Sequence, residues 1–526
     1  MTNLLSTFEK IKSQIPPLEI TDTKRSSEDN PFNEKILTPS NLNKPFLRND
    51  NLSNLKDITY TDSDNSTLKL NVEVESQKIP ESTKPKDQKP PEEEEDEVSL
   101  NVLEEMNKLV ECFPKLSSNY RLIDKIGEGT FSTVYKAEAL NGIIKLGSDI
   151  WKSPPLKKLK SNRLPHETKK KKQKNPIVAL KQIYVTSSPN RIYNELNLLY
   201  ILTGNSHIAP LLDVLRYQDQ VVAILPYYPH ADFRDFFRDL PIKGIKTYLY
   251  ELFQGLEFVH AKGIIHRDLK PTNFLYDPFK GKGVLVDFGL AEKMSTSTKN
   301  SNTCPCNSEK DANKRNKRLN IKTAYPKSDQ RPPRRANRAG TRGFRAPEVL
   351  FKCTNQSTKL DIWSAGIIGL SLISRKFPLF NSPDDTDAII EIALMFGLEK
   401  LIKCADLHGC GLEINLENLS NQNPNDGNLL KLIYVLLDHE IVNDSVPEDS
   451  VIYETMRLFN SAKDGFKASD EVDDMDKDNY NDHKNLFDLL YGCFSMDPSK
   501  RLSAKEILKM PFFDELNQDF DDDVIL

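Results

Sequence analysis

Nowhere in the 526 residues does an apolar run approach the ~20 that cross a bilayer, so a soluble protein without membrane contact is expected. Cysteine is scarce. The seven, Cys112, Cys304, Cys306, Cys353, Cys404, Cys410 and Cys493, are scattered and no signal peptide precedes them, which sets aside a secreted disulfide framework and leaves reduced, intracellular thiols as the expectation. Charge of one sign is lacking as well: a net −5 argues against attraction of the whole protein to nucleic acid. Apolar residues make up 38%, below the ~45–50% of ordinary globular chains, so part of the chain is without the means to pack.

That deficit is local. Residues 1–98 are rich in Asn, Ser, Pro, Lys and Glu and end in an acidic run from Glu92 to Glu97; too little apolar surface is present to offset the entropy of ordering, and the segment reads as a disordered tail. Over 99–119 an amphipathic helix is predicted, with Val102, Leu103, Met106, Leu109 and Val110 on one face, and strand-like alternation starts at Tyr120. The folded domain is assigned to 120–515 and an acidic C-terminal tail to 516–526. Three intervals, about 141–176, 292–337 and 408–482, exceed the roughly 12–15 residues of a structureless loop and read as inserts, functional or disordered. Lysine blocks at 157–160 and 169–172 and the basic run 314–318 suit nuclear import or polyanion binding, or are merely solvated.

Chemistry is carried by five short patterns. Between two strands lies Ile126-Gly127-Glu128-Gly129-Thr130-Phe131-Ser132-Thr133-Val134, where glycine lets backbone amides approach phosphate oxygens and Ser132 replaces a third glycine. Lys181 ends the apolar strand Val178-Ala179-Leu180; a buried ammonium needs a partner, and Glu195 in the following helical stretch supplies it. His266-Arg267-Asp268-Leu269-Lys270-Pro271-Thr272-Asn273 follows a helix with Ile245, Tyr248, Leu249, Leu252, Leu256 and Val259 at helical spacing. Phosphoryl transfer requires a hydroxyl to be positioned, a metal held and charge neutralised. Asp268 is assigned as proton acceptor, Lys270 as the cation on the transferring phosphate, and Asn273 and Asp287, the latter in Val286-Asp287-Phe288-Gly289, as Mg²⁺ ligands. His266 and His260 read as packing or capping groups. Last comes Gly340-Thr341-Arg342-Gly343-Phe344-Arg345-Ala346-Pro347-Glu348, whose Glu348 calls for a buried cation, with Arg501 the candidate, while Asp361 is expected to brace the catalytic loop.

In this order the patterns resemble the eukaryotic protein kinases across residues 120–513. The resemblance implies an α+β bilobal fold, a small β-rich lobe and a large helical lobe, with ATP between them. It places adenine against the backbone near Pro226 and Tyr228, with Leu225 as gatekeeper and Val134, Ala179 and Leu275 on its faces. Phe288 should pack near Leu199 and His266. Lys270 and Thr341 resemble the serine/threonine branch.

The wording of the glycine loop, the catalytic loop and the Ala339–Glu348 segment, with inserts at those three places, further resembles the cell-division-cycle-seven kinases. That resemblance implies a nuclear cell-cycle enzyme, activated by a regulatory subunit of the dumbbell-former type. Its substrates would be acidic serine-rich tails of the MCM replicative helicase, phosphorylated to start DNA replication. Arg334, Arg335, Arg338, Arg342 and Arg345 support an acidic preference, since guanidinium suits carboxylate and phosphate oxygens. Arg338, Arg345 and Thr341 are the substrate-recognition candidates, the alternative for either arginine being to tie down the segment. Cys304-Pro305-Cys306 offers two thiolates, too few for structural zinc, so no metal is expected from that insert alone. The short separation of Lys181 and Glu195 suggests a short, weakly anchored helix that a partner must steady.

Three rival readings stand beside this one: an acid-directed kinase resembling casein kinase two that needs no partner, a pseudokinase scaffold, and a nucleic-acid binder. Retention of Lys181, Glu195, Asp268, Asn273 and Asp287 opposes the scaffold, and the absence of a nucleic-acid fold signature makes DNA contact secondary.

Overall fold

A computed structural model describes residues 98–140, 175–294, 306, 339–414, 427–443 and 446–522. The alternation that begins at Tyr120 becomes β1 (Tyr120–Glu128), paired antiparallel with β2 (Ser132–Ala139). Completing the sheet are β3 (Ile177–Ile183), β4 (Asp213–Tyr217) and β5 (Gln220–Pro226), in the antiparallel order β1-β2-β3-β5-β4. In β2 burial alternates residue by residue, the pattern of a strand with one packed face. That face, Tyr135, Ala137 and Ala139, joins Val178, Leu180, Val222 and Ile224 in a core closed by Met106 and Leu109 of α1 (Leu100–Cys112). The leading helix therefore covers the outer face of the sheet.

Against other residues of the sheet lies α2 (Pro189–Leu202), opened by Ser188, whose side chain accepts from the Arg191 amide, and by proline in its first turn. It runs 14 residues, about four turns, so the expected short helix is corrected: the cap begins it well before Glu195, and its apolar residues through Leu202 carry it on.

The larger lobe is built on α3 (Ile242–Ala261), whose Ile245, Tyr248, Leu249, Leu252, Leu256 and Val259 are all fully buried. Beside it stands α4 (Lys359–Ser374), buried on every side and packed between α3 and α8 (Lys477–Cys493). Between α4 and α8 in sequence come α5 (Asp385–Phe396), α6 (Leu398–Leu407) and α7 (Leu429–Asn443). Leu429, Leu432, Ile433 and Leu437 enter the main core, and Phe466 meets Phe459 and Phe487 at 5.4 and 5.0 Å. Over its described residues the interval 408–482 is thus part of the helical lobe, because an apolar stripe at helical spacing outweighs its charged flanks. The boundary at 515 is crossed too: α9 (Asp514–Asp522) sets Glu515 on buried Lys246 at 2.9 Å and Asn517 on the Tyr250 hydroxyl at 3.0 Å. The tail 1–97, most of the first two inserts and the basic blocks lie outside the described residues. No helix among those described is long and apolar enough to cross a membrane.

His483 of α8 gives the fold a titratable weakness. Its Nδ1 donates to the Asn479 carbonyl at 2.8 Å and its Nε2 faces the Thr455 hydroxyl at 3.0 Å, a pairing that suits the neutral ring. Burial pushes its pKa down to about 4 from 6.5. Between those values the unfolded chain binds a proton that the folded chain refuses, so stability is lost as pH falls through that window. Denaturant titrations at pH 7 and pH 5 should differ by about 2 kcal/mol from this group, and His483→Gln should flatten the difference.

Candidate active site

The β1–β2 turn is closed by the Gly129 amide donating to Ser132 O at 2.9 Å. A Cβ at Gly129 would meet only Ser132 O, at 3.7 Å, so the chain's own packing does not demand glycine there. What glycine preserves is close approach of a ligand to the backbone. Sheet register sets Val134 opposite Gly127 and Lys181, Ala179 opposite Leu225, and Val178 opposite Pro226 at the end of β5, with Ile126 just before the lid and Tyr228 just past the strand. Leu275 lies on β7 (Phe274–Asp277), paired with Val284 of β8 (Lys282–Leu285), directly after the catalytic loop.

Lys181 is buried, and its Nζ donates to Glu195 Oε1 at 2.6 Å and Asp287 Oδ1 at 2.8 Å. Burial opposes the ammonium, but the two carboxylates outweigh it and raise its pKa. Asp287 is likewise opposed by burial, yet Lys181 pulls its pKa to about 2, so it stays anionic at neutral pH. Its backbone is left-handed, φ 61°, a conformation that side-chain-bearing residues rarely adopt outside sites that need it. Arg191 Nε donates to Gly289 O and Asn194 Nδ2 to Ala291 O, at 3.1 and 2.9 Å, so α2 is tied directly to the segment that carries Asp287.

The catalytic loop follows the two-residue strand β6 (Ile264–Ile265) and is fixed from below by Asp361 of α4. Its Oδ2 accepts from the His266 amide and faces His260 Nε2, and its Oδ1 accepts from the Arg267 amide, all at 2.8 Å. His266 hydrogen-bonds Val286 O at 3.0 Å through Nε2 and packs on Phe288 with ring centres 4.9 Å apart, a packing role. Leu199 and Phe288 share the same core.

Asp268 Oδ1 accepts from both the amide and the hydroxyl of Thr341 at 2.8 Å, and Lys270 Nζ lies 3.3 Å from Oδ2. Asn273 donates through Nδ2 to Asp268 O at 2.8 Å and toward Oδ2 at 3.3 Å. With its nitrogen engaged there, the amide oxygen is the group left to face a cation. Together with the Asp287 carboxylate it forms the hard-oxygen pair that a divalent ion takes. Such an ion would neutralise phosphate charge, and Asp268 is placed beside it as the carboxylate that would take the proton of an incoming hydroxyl.

Beneath the platform, Glu348 and Arg501 form a buried bidentate pair, Nη1 to Oε1 2.8 Å and Nη2 to Oε2 3.1 Å. Arg345 donates through Nε to Gly340 O at 2.9 Å and through Nη1 to Asp385 of α5 at 2.8 Å, contacts that tie down the segment. Arg338 lies outside the described residues.

A second cluster went unseen in the sequence. Cys306 Sγ is 3.7 Å from Cys353 Sγ, and these with His408 place three ligand atoms within 4.8 Å of one another. The expectation of two isolated thiolates counted only the insert, whereas the other two donors come from the helical lobe. Two sulfurs and an imidazole are a zinc-type donor set, three of the four positions a structural ion uses. The signal available was Cys353 and His408 themselves, in a chain with so few cysteines. Asp385, Glu292 and Gln356, partners of arginines in this region, left no comparable trace.

The protein kinase domain model matches residues 167–513; the lid strands lie upstream of that stretch, beyond the first insert. The cell cycle serine/threonine-protein kinase hsk1 of Schizosaccharomyces pombe is 42% identical over 412 residues, spanning 78% of this chain and 75% of that protein. The cell cycle protein kinase spo4 of the same yeast is 36% identical, over 78% of this chain and 88% of that protein. The human cell division cycle 7-related protein kinase is 26% identical over 79% and 93% respectively. By the kinase domain match over most of its length and by relatives of this identity and coverage, with Lys181 joined to Glu195 and Asn273 to Asp268, the chain belongs to the cell-division-cycle-seven family of protein serine/threonine kinases.

Proposed function

We propose that the chain uses Mg²⁺-ATP to phosphorylate serine or threonine followed by an acidic or phosphorylated residue, in the acidic tails of the MCM replicative helicase. It would act in the nucleus, together with an activating regulatory subunit. The observation that supports the reading is in the sequence: Arg334, Arg335, Arg338, Arg342 and Arg345 crowd into the twelve residues that lead to and flank Thr341, whose amide and hydroxyl donate to Asp268; Arg345 is engaged by Gly340 and Asp385, and Arg334, Arg335 and Arg338 lie outside the described residues. Arginines so close to the acceptor position would favour anionic flanks by charge and by paired hydrogen bonds.

The test compares peptides with Asp, phosphoserine, Ala or Lys after the acceptor serine, with and without the subunit that co-purifies from nuclear extract. A kcat/KM preference of about tenfold or more for the anionic peptides, equal to about 1.4 kcal/mol, is expected, weakening with salt. Equal use of the Lys peptide would remove the acidic reading. A second reading, an acid-directed kinase that works alone, has one observation in its favour: Lys181 and Glu195 are already joined at 2.6 Å in the single chain. Full activity without the subunit would establish it.

A further inference from the structure

We propose that Glu292 is a positioning residue that holds the catalytic loop in its working geometry through Arg267, supplying from within the chain the anion that other activation segments acquire as a phosphate. The chain's kinase activity is the premise. Phosphorylation orders kinase activation segments by giving a buried arginine a phosphate to pair with.

Here the arginine concerned is Arg267, the residue immediately before Asp268. Its backbone is left-handed at φ 71°, and its side chain is only 4% exposed. A guanidinium that deep needs a counter-charge. One nitrogen, Nη1, pairs with the Glu292 carboxylate; the other, Nη2, donates to the Gln356 amide oxygen, and Gln356 in turn donates to Cys353 O at 3.1 Å. Burial lowers the pKa of Arg267, and Glu292 and Asp361 act against that.

Two further observations converge on Arg267. Glu292 begins β9 (Glu292–Lys293), which is held in register by β6, with Ile265 opposite Glu292, so the carboxylate is offered from an anchored backbone. From the later part of the chain, Gly340 has φ 99°, and a Cβ there would fall 2.4 Å from Arg267 O. Glu292 and Gly340 therefore close on the same residue, one by charge and one by backbone proximity, and Asp268 is its neighbour. Glu292 itself is 58% exposed in its side chain, so replacing it leaves the core intact.

The experiment uses the purified full-length enzyme on an acidic serine peptide, before and after phosphatase treatment, with Glu292→Ala, Glu292→Gln and Glu292→Asp. Glu292→Ala and Glu292→Gln should lower kcat at least tenfold with the KM for ATP within twofold and the melting temperature unchanged. Glu292→Asp should recover most of the loss, and phosphatase should leave wild-type kcat within twofold. Wild-type kcat in Glu292→Ala, an effect confined to the KM for ATP, or a tenfold loss in the wild type on phosphatase treatment would each overturn the proposal. If Glu292→Ala melts early, Glu292→Gln decides, since it keeps the shape and removes only the charge.

Discussion

Asp268→Asn is expected to lower kcat by about 10²–10⁴-fold while leaving ATP affinity within about twofold. The substitution keeps the size of the side chain and removes its capacity to take a proton. Oδ1 can still accept from Thr341, whose amide and hydroxyl are both donors at 2.8 Å. The new amide nitrogen then sits where Oδ2 did, facing Lys270 Nζ and Asn273 Nδ2, both at 3.3 Å and both donors. The neutral side chain therefore gives up its attraction to Lys270 as well as the proton acceptor, which pushes the effect toward the upper part of the range. ATP would be held elsewhere, by the β1–β2 turn and by Lys181, which Glu195 and Asp287 position without help from Asp268. Single-turnover kinetics and a fluorescent-nucleotide titration on the same preparation separate the two quantities. Turnover equal to the wild type would remove Asp268 as the base.

What the sequence made legible follows from how far apart the interacting residues lie. His266 to Asn273 are contiguous, and their roles depend on a loop whose local shape the eight residues nearly specify. The faces of α1 and α3 are readable because a helix repeats its neighbours every three or four residues, so Met106 and Leu109, or Tyr248 and Leu252, announce their own burial. The pair Glu348–Arg501 spans 153 residues and is legible because a carboxylate in a motif that buries it calls for a cation, and each end sits in a recognisable pattern. Arg267–Glu292 and Arg345–Asp385 carry no such mark, since a surface-type residue acquires its partner only when the segments meet, and Cys306, Cys353 and His408 signal a cluster only by their rarity. The interval 408–482 shows the opposite failure. Its length alone reads as an insert, while the stripe Leu429, Leu432, Ile433 and Leu437 repeats at helical spacing and enters the main core.

Removing Arg501 is expected to destabilise the folded state by about 3–5 kcal/mol without altering the chemistry of the molecules that remain folded. The pair it forms with Glu348 has side chains 0% and 2% exposed. With Arg501→Ala the carboxylate is left in the core without its cation, and the desolvation penalty that the pair had offset falls on the folded state alone. More than charge is lost: the guanidinium also donates to Ser495 O at 3.2 and 3.0 Å and to Lys359 O at 2.6 Å, which joins the end of α8 to the start of α4. Lysine cannot reproduce that fork, so Arg501→Lys should recover only a small part of the loss. The double variant Glu348→Gln/Arg501→Met distinguishes an unpaired charge from lost packing, because removing both partners should be milder than removing Arg501 alone. Urea denaturation measures the stability, and kcat per active site, titrated with a tight nucleotide-site ligand, measures the chemistry. A variant that keeps wild-type stability, or one that is stable yet catalytically dead, would place Arg501 in the reaction rather than in the frame that supports it.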